Sequence, residues 1–149
     1  MADIRTAWIG LGGDWRLSGP SLDEDDGLET GVVISLFTDR VADNGEAGVA
    51  ATARRGWWGD AYADASGDRI GSRLWLLARE KRTAEVMSRA ELYAREALQW
   101  LITDGVARSV AVTAEAAGQA GEVLALAVTI TRSARPVVQF RFESFWKGQ

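Results

Sequence analysis

The stretch "SVAVTAEAAGQAGEVLALAVTITRSARPVVQFRF", Ser109 to Phe142, decides the fold class of this chain. "SVAVTAEA" alternates, and "AAGQAGE" with its two glycines reads as a turn. Leu124, Leu126, Val128 and Ile130 then alternate with Ala125, Ala127 and Thr129. After "SARP", Val138, Phe140 and Phe142 alternate with Gln139, Arg141 and Glu143. A period of two is that of a strand with one face in a core. The links are short, so the three strands form an antiparallel meander.

The segments before it carry a different period. Tyr93, Ala97 and Leu101 form one apolar row and Ala94, Leu98 and Ile102 the next, a wide stripe on a helix running from near Thr83 to about Thr103. Ser88 and Glu91 add a capping-box pattern inside it, and Asp104–Gly105 ends it. Ser72 is placed to cap a further helix over "RLWLLAREKR", with Leu74, Leu77 and Ala78 toward the core. Leu28, Val32 and Leu36 recur every fourth position, with Val33 and Phe37 beside them. This spacing predicts a helix over Leu28–Asp39, although the β-branched "VVI" keeps a strand in competition. Ahead of it, "GDWRLSGP" reads as a short strand and turn, and "SLDEDDG" as an acidic loop at a helix N-terminus, where negative charge is favourable. Helices against one face of a small antiparallel sheet define the α+β class. The 149 residues suit one domain: a strand region (1–27), a helical and tryptophan-loop region (28–105) and C-terminal strands (106–149).

Composition removes whole classes of chemistry. There is no cysteine, hence no disulfide, thiolate nucleophile or Cys-based zinc site. There is no histidine, which removes the commonest general base and metal ligand and makes a Ser-His-Asp triad impossible. A net charge of −4 opposes broad nucleic-acid binding. Neither a membrane-spanning run nor a signal peptide is evident, so synthesis in the cytoplasm is expected. The acidic loop fails the EF-hand spacing, and "GLGGDW" fails the dinucleotide fingerprint because Trp15 stands where its last glycine belongs. No metal and no cofactor is therefore expected. Catalysis by carboxylates alone survives this cut.

Seven tryptophans are the unusual feature, and two of them lie in "RRGWWGD", Arg54 to Asp60. Adjacent side chains in extended backbone point opposite ways, so one of Trp57 and Trp58 is expected in the core and the other toward a partner. Arg54 and Arg55 on one side and Asp60 on the other can clamp the loop. Four residues apart, Trp75 and Arg79 suit a cation–π pair or an interface hot spot beside Arg73. Residues 69–95 hold seven basic side chains against three acidic ones, a patch opposed in sign to the acidic loop.

Four motifs in order and at specific spacing, "DGLETGVVISLFTDR" (Asp26–Arg40), "RRGWWGD", "GSRLWLLAREK" (Gly71–Lys81) and "YAREALQWLITDGVA" (Tyr93–Ala107), resemble the Mu-like phage baseplate family of the gene-product-forty-six type. The resemblance spans roughly Asp14 to Ile130. It implies a distant similarity to the T4-type gene-product-twenty-five baseplate wedge family and to its α+β architecture. It also implies a non-enzymatic component of a contractile tail, in about six copies per baseplate by the six-fold symmetry of such tails. The partners implied are other wedge or hub proteins and the tail sheath or tube, with no nucleic acid and no membrane. In isolation the chain is expected to be a monomer. One departure stands out: the wedge relatives carry Glu-Pro-Arg after the long helix, whereas this chain has "ITDGVARSV", so contacts of that motif do not transfer to Asp104 or Arg108.

The expected partner-facing set is therefore Arg54, Arg55, Trp57, Trp58, Asp60, Arg73, Trp75 and Arg79, with Phe140, Phe142 and Trp146 on a C-terminal strand open to strand addition. The competing functions are a lysozyme-like glycan hydrolase, with Asp60 and Glu143 as its best carboxylates, and a carbohydrate-binding module built on tryptophan platforms.

Overall fold

A computed structural model describes residues 3–9, 12–18, 20–22, 24–43, 55–81 and 83–145. The chain begins with six short strands, β1 (Asp3–Ile4), β2 (Thr6–Ile9), β3 (Gly12–Trp15), β4 (Leu17–Ser18), β5 (Ser21–Leu22) and β6 (Glu24–Asp25). Strand β2 pairs with β3, β4 with β5 and β1 with β6, all antiparallel, so two small hairpins close at a common base. Where the sequence predicts one strand and a turn, the structure has this folded ribbon. Strands of two residues are too short to show a period. The ribbon reaches the core through buried Ala7 and through Trp8, which stacks on Phe37 with centroids 3.7 Å apart.

Helix α1 (Leu28–Phe37) follows, and helix wins over strand for "VVI" because Leu28, Val32, Val33 and Leu36 all bury on one side while Ile34 stays 41% exposed. Asp26 fulfils the role its position predicts, accepting from the Leu28 N–H at 3.2 Å. It also joins the far end of the chain, with Arg132 at 3.0 Å and Arg135 at 3.3 Å.

The predicted helix from Ser72 is instead a single 3₁₀ turn, Leu74–Leu77. The Ser72 hydroxyl donates to the Leu36 carbonyl and accepts only a 3.3 Å contact from the Leu74 N–H, so it fastens this turn to α1 more than it caps it. The backbones also pair there, Ser72 N–H to Thr38 O and Arg40 N–H to Ser72 O, both at 2.9 Å. Gly71 makes that approach possible: its φ is +95°, and a Cβ would overlap the Thr38 carbonyl. Leu77 is buried, while Leu74 and Leu76 pack on the core half-exposed.

Helix α2 (Ala84–Ala97) is capped by Thr83, whose side chain accepts from the Val86 N–H at 3.3 Å. Glu91 takes no part in a capping box; its carboxylate accepts from the Ala114 N–H at 3.0 Å on the neighbouring strand. The predicted single helix to Thr103 breaks after Ala97 into a tight turn and a short helix, α3 (Trp100–Thr103). Bonds from Gln99 to Glu96, Leu101 to Leu98 and Ile102 to Gln99 mark the tightening. It keeps Leu98 and Leu101 fully buried, leaves Ile102 40% exposed and sets Trp100 against α1.

Strands β7 (Ser109–Ala117), β8 (Val123–Thr131) and β9 (Val138–Phe145) form the predicted meander in the order β7-β8-β9. Val112 lies opposite Val128 and Val128 opposite Phe140; Leu126 lies between Ala114 and Phe142. That face meets α1 and α2 in one cluster with Leu36, Leu77, Leu98, Leu101 and Ile130. Burial of each large side chain contributes about 1.5–3 kcal/mol. On the other face Arg141 reaches over the alanines of β8 to Glu115 and also meets Glu143 at 3.2 Å. The α+β class with helices and small antiparallel sheets is what the periodicities predict. Among the described residues no helix is long and apolar enough to cross a membrane.

Candidate partner interface

The tryptophan loop is anchored at several points by residues that sequence spacing does not connect. Arg55 pairs with Asp39 at 2.7 Å and places its guanidinium 4.7 Å from the Trp75 ring centre. Trp75 Nε1 donates to the Arg40 carbonyl at 2.8 Å. Asp60 does not clamp Arg55; its Oδ1 accepts from the Ile70 N–H at 3.1 Å, closing the loop on itself, and its Oδ2 is buried without a partner. Arg54 lies outside the described residues.

Between these anchors Trp58–Tyr62 forms a 3₁₀ turn with no buried residue. The expectation of one ring inward and one outward is therefore corrected. Trp57 is 43% exposed and Trp58 75%. Trp57 is extended but the turn begins at Trp58, so the strand-like alternation does not continue through the pair, and the two rings lie against each other with centroids 5.5 Å apart at 44°. Trp57 also folds over Gly59, where any Cβ would overlap its ring. Tyr62, 80% exposed, adds an edge contact to Trp58.

The remaining predicted residues separate. Phe142 leaves the surface set: it is buried, with Trp8 and Phe37 edge-on to it, and half-buried Phe140 stacks against it. Trp146 lies outside the described residues. Arg73 is turned inward, bonded to Glu96 at 2.8 Å and Asp43 at 3.3 Å and lying 4.5 Å from the Tyr93 ring centre. The predicted pairing of Trp75 with Arg79 is not made; Arg55 covers the ring, and Arg79 is exposed on the following turn. The expected basic patch is largely neutralised, since Arg89 holds Glu80 at 2.9 Å, Arg95 lies 3.8 Å from Glu91 and Arg69 3.9 Å from Asp43. Strand β9 is at the edge of its sheet, but Trp8 Nε1 already donates to the Glu143 carbonyl there.

What the structure brings together instead is a groove of about 770 Å³ between the tryptophan turn, α1 and α3. Trp57, Trp58 and Tyr62 line one side, Ile34 and Trp100 the other. Trp100 is the groove residue that the apolar rows missed. It falls outside both rows, and an outward tryptophan on a helix is itself the signal. Its Nε1 donates to Ser35 Oγ at 2.9 Å, which donates to the Gly31 carbonyl at 2.7 Å, so the ring is held in place. Asp60 lines the groove but Glu143 does not, so the two carboxylates weighed for glycan hydrolysis do not face each other across it. No cluster of potential metal ligands exists among the described residues.

The sequence profile of the family described as Phage protein GP46 matches residues 28–137, the span that contains every wall of this groove. The chain belongs to that family. The "Baseplate protein gp46" of Escherichia phage Mu is 42% identical over 149 residues, 99% of both chains. The "Mu-like prophage FluMu protein gp46" of Haemophilus influenzae is 45% identical over 114 residues, 76% of each chain. The Mu-like relationship predicted from the four motifs is thus shown. In this GP46-family chain, "RRGWWGD" and "GSRLWLL" meet through Arg55 on Trp75.

Proposed function

We propose that this chain is a non-enzymatic subunit of the baseplate of a contractile phage or prophage tail, acting as a single wedge-like domain of the gene-product-twenty-five type. In this reading it joins the wedge and hub proteins in about six copies per baseplate and helps nucleate the tail sheath. The full-length similarity to a phage Mu baseplate protein supports the assignment. The observation that carries the interface is the exposure of Trp58 and Tyr62 on an anchored turn. Exposed, pre-ordered aromatics are the composition of interface hot spots.

The hydrolase reading needs a carboxylic acid kept in apolar surroundings. The groove carboxylates Asp64, Asp68 and Asp104 are exposed; Asp60 has a buried Oδ2, but its Oδ1 is tied to the Ile70 N–H as part of the loop's own closure. The deciding experiment deletes the gene from its phage and complements it. Without the protein, tails should lack assembled sheath, and the wild-type copy should restore them with the protein in the particle. Sheathed tails formed in its absence would overturn the assignment, as would peptidoglycan hydrolysis by the purified protein that Asp60→Asn abolishes.

A further inference from the structure

We infer that the groove between the tryptophan turn, α1 and α3 docks a segment of another baseplate protein that carries an apolar or aromatic anchor flanked by lysine or arginine. The inference rests on the baseplate assignment above and specifies the chemistry of what the subunit holds.

Three observations define the occupant. First, the floor is apolar and open: Trp58, Tyr62, Trp57, Ile34 and Trp100 are between 37% and 80% exposed and share one depression. A contiguous apolar patch on an otherwise charged surface marks an interaction site. Its volume suits a few large side chains. Second, the walls are ordered before anything binds. Asp60 holds Ile70, Arg55 holds Asp39, and Ser35 holds Trp100, so little side-chain entropy is lost on docking.

Third, the charges on the rim are mainly acidic among the described residues. Asp64, Asp68 and Asp104 are exposed, and among the described residues none has a basic partner. Among the described residues Arg69 is the one basic side chain in the lining, and it lies 3.9 Å from Asp43. Elsewhere on the described surface carboxylates such as Asp26, Glu80 and Glu96 are paired with arginine. An apolar floor with unneutralised carboxylates around it selects an apolar anchor with cationic flanks and repels phosphate.

A sugar fits less well. The rings do not form one planar platform for successive sugars, since Trp57 and Trp58 are tilted by 44° and Trp58 and Tyr62 by 71° to each other.

The test uses the full chain and an array of overlapping peptides covering the other baseplate proteins of the same phage. Bound peptides should share an aromatic or aliphatic anchor with neighbouring Lys or Arg, and replacing the anchor by alanine should abolish binding. Trp58→Ala should weaken the best peptide at least about tenfold, which corresponds to 1.4 kcal/mol. Asp64→Asn with Asp68→Asn should weaken it at low salt and flatten its salt dependence. Arg141→Ala, on the outer face of the sheet, should change nothing. Unchanged thermal unfolding of each variant separates lost docking from lost fold.

Binding of acidic peptides only, or of none, overturns the inference. So does capture of muropeptides lost in Trp58→Ala, which assigns the groove to glycan, or self-association lost in Trp58→Ala, which assigns it to a second copy. If the groove variants assemble normal tails while the wild type is present in them, the docking inference fails alone. If the wild type is absent from tails, the baseplate assignment fails.

Discussion

Replacing Gly71 by alanine makes two demands on the backbone at once, and the structure separates them. The first is conformational: φ is +95°, and an L side chain in the left-handed region costs about 1–2 kcal/mol. The second is steric: the new Cβ overlaps the Thr38 carbonyl and pushes apart the segments that exchange the Ser72 N–H to Thr38 O and Arg40 N–H to Ser72 O bonds. Losing both adds about 1 kcal/mol each, for a total of about 3–4 kcal/mol. At about 2–4 °C per kcal/mol for a chain of this size, the thermal midpoint should fall by about 6–16 °C. Gly67→Ala is the matched control, because Gly67 has φ +83° with nothing within 4 Å of a Cβ. It should lose only the first part, about 2–8 °C. Urea unfolding gives the energies, and hydrogen exchange at the Ser72 and Arg40 amides reports the local opening. Equal losses at the two positions, with unchanged exchange at Ser72, would refute the close-approach argument.

Other outcomes follow from the same contacts. Phe142→Ala should cost about 3–5 kcal/mol in urea unfolding, because its ring is buried between Trp8, Phe37 and Phe140. Arg73→Ala should cost about 1.5–3 kcal/mol through its charged hydrogen bonds to Glu96, and Arg73→Lys should recover less than half, since an ammonium cannot reproduce the forked contact or the stacking on Tyr93. The Arg132 hydrogen bond, and after it the Leu28 N–H, hold the Asp26 carboxyl below its ordinary range. A lowered folded-state value gives stability that is complete above the unfolded value of about 3.9 and is lost as pH falls through the folded one. Asp26 is half exposed, so Asp26→Asn should cost at most about 1 kcal/mol near neutral pH, with the gap to wild type closing in urea melts taken below about pH 4.

The elements with a sustained period were legible in the sequence. Leu124–Ile130 alternates with small residues because one face of β8 packs on helices and the other lies under Arg141 and Glu115. Leu28, Val32 and Leu36 read as a helix because they share one buried side. The break after Ala97 was not legible, since no proline or glycine marks it. It arises because the tightened turn keeps Leu98 and Leu101 buried together and sets Trp100 on α1. The tryptophan turn was legible as a motif but not as a shape. Its geometry depends on Asp39, Arg40 and Ile70, partners at distances that no local pattern encodes. The wrong partner for Trp75 has the same origin: Arg79 is near in sequence, but Arg55 reaches the ring across the fold. The groove combines both cases, one wall drawn largely from "RRGWWGD" and the other from Ile34 and Trp100, which lie outside the core-facing rows of their helices.

The most direct test of the central claim places a photo-crosslinking amino acid at Trp58 and irradiates assembled tails. The account predicts a crosslink from position 58 to another baseplate protein, with none from Thr113 on the exposed side of β7. A position 58 that reacts only with water in intact tails, while the protein is present in them, would contradict it.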